Sequence, residues 1–153
     1  MGIKLLKPSD PLLRQKSVPV TDFGIKLSRL AVSLHLLMRQ KDGIGIAAVQ
    51  TGRLIRLIIV SAPADSFLVP KNVYMCNPEI IYASEEKVES IEGCLSVIGC
   101  FKVQRHKIVT VRYQNVRGEF QQLTGDGLFS MCCQHEISHL DPGGLISQMG
   151  VPA

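Results

Sequence analysis

The segment CCQHEISHLD, Cys132 to Asp141, places two histidines four residues apart, with a glutamate directly after the first. On an α-helix, residues at i and i+4 lie on one face, about 6 Å apart along the axis, so His135 and His139 can converge on one ion. Glu136 lies about 100° further round the helix, where it can reach a water bound to that ion and act as general acid or base. The segment therefore predicts a helix with two metal ligands and a catalytic carboxylate, and the alternative is an accidental helical pentapeptide with a hydrogen-bonded core histidine.

A catalytic site of this kind needs a third protein ligand. The sequence after His139 contains neither histidine nor glutamate. Pro142 and Leu145 stand where the extended motif H-E-x-x-H-x-x-G-x-x-H requires its glycine and third histidine. The third ligand is therefore expected upstream of the helix.

Several upstream side chains can be considered for this role. His35 lies on an apolar helix and His106 in a basic strand, where each has an ordinary structural or surface role. Cys132 is short and a full turn away, so we interpret Cys132 and Cys133 as buried small hydrophobic residues. Cys94, in IEGCLSV, follows a glycine that permits close backbone approach, and its thiolate would complete a Cys-His-His site with one open position.

The length of 153 residues fits one domain with a single core. Hydrophobic residues make up 46% and charged residues 20% of the chain, which argues against disorder and coiled coil. The net charge of +4 is modest, and we interpret the basic stretch Lys102 to Arg112 as the solvated face of a strand rather than a nucleic-acid site. No secretory signal or bilayer-spanning run is present, and the five cysteines do not pair in a zinc-ribbon or CxxC spacing, which favours a cytoplasmic protein with free thiols or ligands.

Hydrophobic spacing predicts the main elements. Asp10 followed by Pro11 predicts a brief helix, and an apolar stripe predicts a long one from about Asp22 to Lys41. A second helix, LFSMCCQHEISHL, follows Asp126. The fold class is therefore α+β, with mainly antiparallel sheets packed around a C-terminal metal-binding helix. Short runs between turn residues predict the strands: RLIRLIIV, VYMCNPEIIYA, KIVTVRYQ and EFQQLTG.

A glycine-containing stretch, GIGIAAVQTG from Gly43 to Gly52, follows the long helix. It lacks the lysine of a Walker loop and the full G-x-G-x-x-G pattern, so it is weak support for phosphate binding. A turn of small packed residues is the structural alternative. Gln50 near its end is an amide of the kind that stabilises a developing oxyanion.

Taken together and in this order, GIGIAAVQ, EGCLS and QHEISHLD resemble the three signature motifs of the peptide deformylases. These are metal-dependent amidohydrolases that remove the formyl group from N-terminal formylmethionine. The opening KPSDPLLRQKSVPV resembles the N-terminal segment of that family as well. The resemblance covers nearly the whole chain and implies a single peptide-deformylase-like catalytic domain over residues 1–153.

The resemblance implies that Cys94, His135 and His139 are the metal ligands. The ion implied is one Fe(II) per chain, with zinc, nickel or cobalt as substitutes in preparations. Air would then inactivate the protein through oxidation of the metal or of Cys94.

The resemblance also assigns roles around the metal. Glu136 would be the general acid and base, while the Gln50 side chain and the Leu95 backbone N–H would donate to the formyl oxygen. Gly45 would hold the peptide backbone as an extra strand. The substrates and partners implied are N-formylmethionyl peptides and nascent chains. The apolar pocket for methionine would be lined by Ile44, Leu128, Met131 and Cys132.

The chain departs from the family pattern at three places. Ser138 stands where the family has aspartate in HExDH, and we expect it to affect support of the ligands more than ligation. After EGCLSV, Ile98 and Phe101 lie in a loop that looks shorter than that of the family. We therefore expect the shape of the substrate groove to differ from the family's. The sequence up to Ala153 does not include the C-terminal helix that is associated in the family with ribosome docking, so docking is left open. The source is left open as well, and can be bacterial, phage-borne or organellar.

Three alternatives follow from these departures. The chain could be a deformylase-fold metal-binding protein with weak or no turnover, or an enzyme for a different formylated substrate. A general metallopeptidase is the third alternative, and Cys94→Ala discriminates it because only a deformylase would lose its metal.

Overall fold

The structure is a computed structural model that describes residues 2–153. Its α+β arrangement of antiparallel sheets confirms the predicted fold class. The elements are α1 (Ile25–Gln40), β1 (Gly45–Ala47), β2 (Leu57–Val60), β3 (Val73–Ala83), β4 (Lys87–Cys94), β5 (Val97–His106), β6 (Val109–Gln114), β7 (Phe120–Gly125), α2 (Gly127–Ser138), α3 (Ile146–Met149) and β8 (Val151–Pro152).

A five-stranded antiparallel sheet with the order β1-β2-β3-β6-β7 lies between the two long helices. Strand β2, LIIV, is buried at every position. Leu57 and Ile59 belong to the core beside α1, whereas Ile58 and Val60 belong to the core that includes Phe129 of α2. Because successive side chains of a strand point to opposite faces, a strand covered on both faces is apolar throughout.

A second sheet of three strands, in the order β4-β5-β8, lies beside the first. Strands β4 and β5 form a hairpin in which Cys94 is opposite Val97, so Leu95 and Ser96 make the turn. The interpretation of Lys102 to Arg112 as the solvated face of a strand is correct for Lys102, Lys107 and Arg112, which are exposed, but wrong for Arg105. This stretch contains parts of β5 and β6, and Arg105 is 2% exposed because the hairpin brings it to a buried carboxylate.

The N-terminal segment before α1 is anchored to the residues that follow α2. The Ser17 N–H donates to Leu140 O at 2.9 Å, and Arg56 Nη1 donates to the same oxygen at 3.2 Å. Arg56 also forms two hydrogen bonds of 3.1 Å to the Asp141 carboxylate. The segment before α1 and the residues directly after α2 therefore meet next to the C-terminal end of α2.

The brief helix predicted after Asp10 is a single 3₁₀ turn, Pro11–Arg14. The Asp10 carboxylate caps it by accepting from the Leu12 N–H at 3.0 Å, and the Gln15 N–H closes onto Leu12 O. Within residues 2–153, no helix combines the length and the apolar character needed to cross a membrane.

Candidate metal centre

The C-terminal half of α2 and the end of β4 bring three potential ligands together. His135 lies in α2, His139 is the residue that caps its C-terminus, and Cys94 is the last residue of β4. One donor atom from each lies within 4.8 Å of the other two, and Cys94 Sγ is 3.4 Å from His139 Nε2. The structure thus brings together the three residues that the sequence analysis named as ligands.

Glu92 orients one of these imidazoles. Its Oε1 accepts from His135 Nδ1 at 2.8 Å and from Arg105 Nη2 at 2.6 Å, and its Oε2 accepts from Arg105 Nε at 2.9 Å. Burial alone would raise the pKa of Glu92, but the hydrogen bonds from Arg105 and His135 hold it well below its usual range. Because a carboxylate only accepts, Nδ1 of His135 donates to Glu92, and Nε2 is the ring nitrogen that an ion would occupy in place of a second proton.

The electrostatics of the three donors suit a bound cation. Burial lowers the pKa of His139 to about 3, so its imidazole is neutral, and its buried Nδ1 has no hydrogen-bond partner among residues 2–153. Burial also opposes protonation of His135, yet hydrogen bonds to Cys94 and Glu92 outweigh this and raise its pKa to about 10. Groups that stabilise a proton so strongly also stabilise a metal cation, and a thiolate with two imidazoles is a donor set for zinc or iron. The residues therefore fit a metal.

Glu136 is buried beside the ligands. Its Oε1 is 4.0 Å from His135 Nε2, and its buried Oε2 has no hydrogen-bond partner in the described part of the chain. Burial raises the pKa of Glu136 to about 7, although the nearby His135 and Arg105 oppose the shift. A carboxylate with this pKa can hold or release a proton near neutral pH.

A cavity of about 460 Å³ opens between β1 and the hairpin end of β4. Most of the residues named from the sequence line it, but Leu128 and the candidate ligand His139 do not. Leu128 lines a neighbouring cavity of about 330 Å³, and Met131 lies at the wall of both. The predicted residues that line the larger cavity are Ile44, Gly45, Gln50, Cys94, Leu95, Met131, Cys132, His135 and Glu136.

The Gln50 amide is held at both ends. Its Oε1 accepts from the Ala47 N–H at 2.9 Å, and its Nε2 donates to Ser96 Oγ at 2.9 Å. Nε2 also lies 3.8 Å from Cys94 Sγ, and the Ser96 N–H is 3.5 Å from the same sulfur. Gln50 therefore lies directly beside one of the candidate ligands.

Ser138 does not contact the ligand side chains through its hydroxyl. Its Oγ is 2.6 Å from His135 O and 2.8 Å from Gly144 O, so the hydroxyl donates to backbone carbonyls at the end of α2. The Gly144 position is so close to Ser138 O that no side chain fits there. Ser138 thus holds the turn after α2.

Three residues that contact the candidate site residues were not named from the sequence: Glu92, Arg105 and Ser96. Glu92 and Ser96 lie within two residues of Cys94, so their position was a usable signal once Cys94 was considered a ligand. Arg105 offered no such signal, because its partner lies 13 residues away and is brought close only by the hairpin.

Comparisons with known proteins agree with this geometry. Residues 3–150 match the polypeptide deformylase family. A peptide deformylase from Bartonella tribocorum is 38% identical over 134 residues, covering 86% of this chain and 75% of its own length. A peptide deformylase-like protein from Brucella melitensis is 41% identical over 143 residues, covering 92% and 85% respectively.

The fold is also similar to solved structures. The Met-Ala-Ser-bound crystal structure of the class I type b peptide deformylase from Acinetobacter baumannii superposes with a TM-score of 0.85 at 30% sequence identity. The match covers 95% of this chain and 96% of that one. The family match covers nearly the whole chain, and the relatives named above are similar to it over most of their length. The chain therefore belongs to the polypeptide deformylase family.

Proposed function

We propose that this chain is a metal-dependent hydrolase that removes the formyl group from the N-terminal formylmethionine of nascent polypeptides and releases formate. The observation that carries the proposal is the convergence of Cys94, His135 and His139 beside the buried Glu136 carboxylate. Residues 1–153 would act as a single catalytic domain, in the compartment where translation occurs.

The cofactor proposed is one divalent ion per chain, held by Cys94, His135 and His139. We assign Fe(II) as the physiological ion, with zinc, nickel or cobalt as substitutes in preparations, since thiolate and imidazole ligands suit these ions. When bound, the ion supplies Lewis-acid chemistry and lowers the pKa of water toward neutrality. Glu92 supports this arrangement because its hydrogen bond to Nδ1 leaves Nε2 of His135 as the ligating atom.

Glu136 is the proposed proton carrier. Its Oε2 would take a proton from the attacking water and return it to the amine nitrogen that leaves as the formyl C–N bond breaks. The carboxylate is 4% exposed, and its Oε2 has no competing hydrogen bond from any of the described residues. A proton taken up there is therefore held beside the cavity that Glu136 lines.

Two donors are proposed for the formyl oxygen. The Gln50 side-chain amide lies beside Cys94 Sγ, Leu95 is the residue directly after Cys94, and both residues line the cavity. Removing one donor to a developing oxyanion costs about 10²- to 10³-fold in rate. Both donors are preorganised, since Gln50 is hydrogen-bonded at each end and Leu95 lies in a tight turn.

The cavity walls suit an extended peptide. Strands β1 and β4 are edge strands of their two sheets, and Gly45 and Gly93 of these strands face the same cavity. A peptide between them could pair as an additional strand, with Gly45 as a backbone partner. Ile44, Met131 and Cys132 would contact the methionine side chain. Leu128 would contact only a side chain that extends past Met131 into the neighbouring cavity.

The experiment that tests the proposal is formate release from formyl-Met-Ala-Ser by protein purified without oxygen and loaded with Fe(II). We expect rapid release that a hydroxamate chelator suppresses. The Glu136→Ala protein should retain its metal and lose the activity. No release by a protein that carries one metal ion per chain would contradict the proposed function.

A further inference from the structure

The side chain of Ser96 is buried in the turn that follows Cys94. It is 1% exposed, and its Oγ accepts a hydrogen bond of 2.9 Å from Gln50 Nε2. The two residues come from different parts of the fold, because Gln50 lies in a 3₁₀ turn after β1 and Ser96 in the β4–β5 hairpin. Their hydrogen bond therefore spans the wall of the cavity.

The other contacts of Gln50 determine which way its amide points. Oε1 accepts from the Ala47 N–H at 2.9 Å, so the oxygen and nitrogen ends are distinguished. The amide nitrogen has two hydrogens, and one of them is directed to Ser96 Oγ. The other is directed to Cys94 Sγ, to which Nε2 donates a long hydrogen bond of 3.8 Å. Gln50 is itself 1% exposed, so bulk water does not offer competing partners.

We propose that Ser96 is a positioning residue that locks the Gln50 amide, so that its second N–H stays beside Cys94 at the cavity wall and can donate to the formyl oxygen of a bound substrate. This inference rests on the proposed function, in which that N–H stabilises the developing oxyanion. Without the Ser96 hydroxyl, the amide can rotate away, and it must be reoriented in each turnover at the expense of rate. The loss belongs to the transition state and therefore appears in kcat rather than in KM.

The contacts also separate this role from support of the metal. Ser96 approaches Cys94 Sγ through its backbone N–H, at 3.5 Å, and not through its hydroxyl. Ser96→Ala keeps that N–H and removes only the partner of Gln50. Metal content per chain should therefore remain unchanged in this variant.

Kinetics with formyl-Met-Ala-Ser test the inference. Ser96→Ala should lower kcat about 10-fold, the equivalent of one neutral hydrogen bond, with KM within about twofold of the parent value. In a Gln50→Ala background, adding Ser96→Ala should cause no further loss, because Ser96 acts through Gln50. A repeated 10-fold loss in that background, or a change in KM alone, would overturn the proposal.

Ser84→Ala is the matched control. Ser84 is also a buried serine with two hydrogen bonds, to Glu86 O and from the Ile108 N–H, but it does not line the cavity. It should leave kcat and KM unchanged.

A second measurement does not depend on turnover. In zinc-loaded protein, the side-chain N–H signals of Gln50 can be assigned by NMR from their loss in Gln50→Glu. Their exchange with solvent should become about 10-fold faster in Ser96→Ala, as expected for loss of one hydrogen bond, and stay unchanged in Ser84→Ala.

The two measurements distinguish the possible failures. If the parent protein releases no formate but Ser96→Ala accelerates the N–H exchange of Gln50, the proposed function fails, whereas the positioning of the Gln50 amide by Ser96 is confirmed. If formate is released but neither kcat nor the exchange depends on Ser96, the inference fails and the proposed function stands.

Discussion

At the scale of single residues, Glu92 forms hydrogen bonds both to the candidate metal ligand His135 and to the buried guanidinium group of Arg105. Glu92→Gln keeps the shape of the side chain but removes the charge that His135 and Arg105 share. We expect metal affinity to fall about 10- to 100-fold, since the imidazole loses its carboxylate partner. Competition with a chelator measures the effect. Glu89→Gln, an exposed position on the same strand, is the control, and equal affinities in the two variants would contradict the assigned role.

Ser138 leads to a prediction that runs against the family pattern. Its hydroxyl donates to backbone carbonyls, which a carboxylate cannot do, so Ser138→Asp places a negative charge against two acceptor oxygens. We expect the free energy of unfolding to fall by about 1–3 kcal/mol. Denaturant unfolding measures it, and Ser138→Ala should show a smaller loss because it adds no charge. A more stable Ser138→Asp protein would show that the local structure differs from the one described.

Only some residues of the candidate site could be predicted from the sequence. His135, Glu136 and His139 were predictable because their spacing on one helix determines their geometry. Cys94 lies some 40 residues earlier and was one of several candidates until the resemblance was considered. Arg105 was misjudged as a surface residue because its partner is set by the pairing of two strands, which no local pattern reveals.

At the scale of elements, strand β1 and helix α2 are in direct contact at Gly45. A Cβ at this position would lie 2.6 Å from Glu136 Oε1 and 2.7 Å from Cys132 Sγ. Gly45→Ala should therefore displace the buried Glu136 carboxylate and lower kcat more than 10-fold, since small displacements of catalytic groups are costly.

Gly93→Ala is the control for this prediction. Gly93 lines the opposite wall of the same cavity, and a Cβ there would be 3.8 Å from its nearest neighbour, Cys100 Sγ. Kinetics on formyl-Met-Ala-Ser compare the two variants. A similar loss in both would mean that any side chain in the cavity impairs turnover, and would remove the contact with Glu136 as the cause.

The elements differed in how well they could be predicted. Helices α1 and α2 and strand β2 follow from apolar periodicity or from a short buried run. Strands β4 and β5 did not stand out, because most of their side chains are exposed or half-buried and carry little periodic signal. Their pairing is a property of the hairpin as a whole, and it is this hairpin that supplies Cys94, Leu95 and Ser96 to the cavity.

At the scale of the whole molecule, the proposed ion connects two parts of the fold. Cys94 belongs to the three-stranded sheet, whereas α2 packs on the five-stranded sheet. Zinc at about 100 times its Kd should raise the free energy of unfolding by about 2.7 kcal/mol, since it binds the folded state.

Thermal unfolding with increasing zinc measures this stabilisation. It should be lost in Cys94→Ala and kept in Cys100→Ala, where the replaced thiol is exposed on β5. If Cys94→Ala retained the full stabilisation, Cys94 would not be a ligand.

The contact of the N-terminal segment with Leu140 has a consequence for the order of assembly. The Ser17 N–H and Arg56 both bond to the carbonyl of the residue directly after His139, although Ser17 and Leu140 lie near opposite ends of the chain. Contacts between residues so distant in sequence form late, because closing a long loop costs conformational entropy. We therefore expect the turn that follows His139 to become ordered only after both α2 and the segment before α1 are in place.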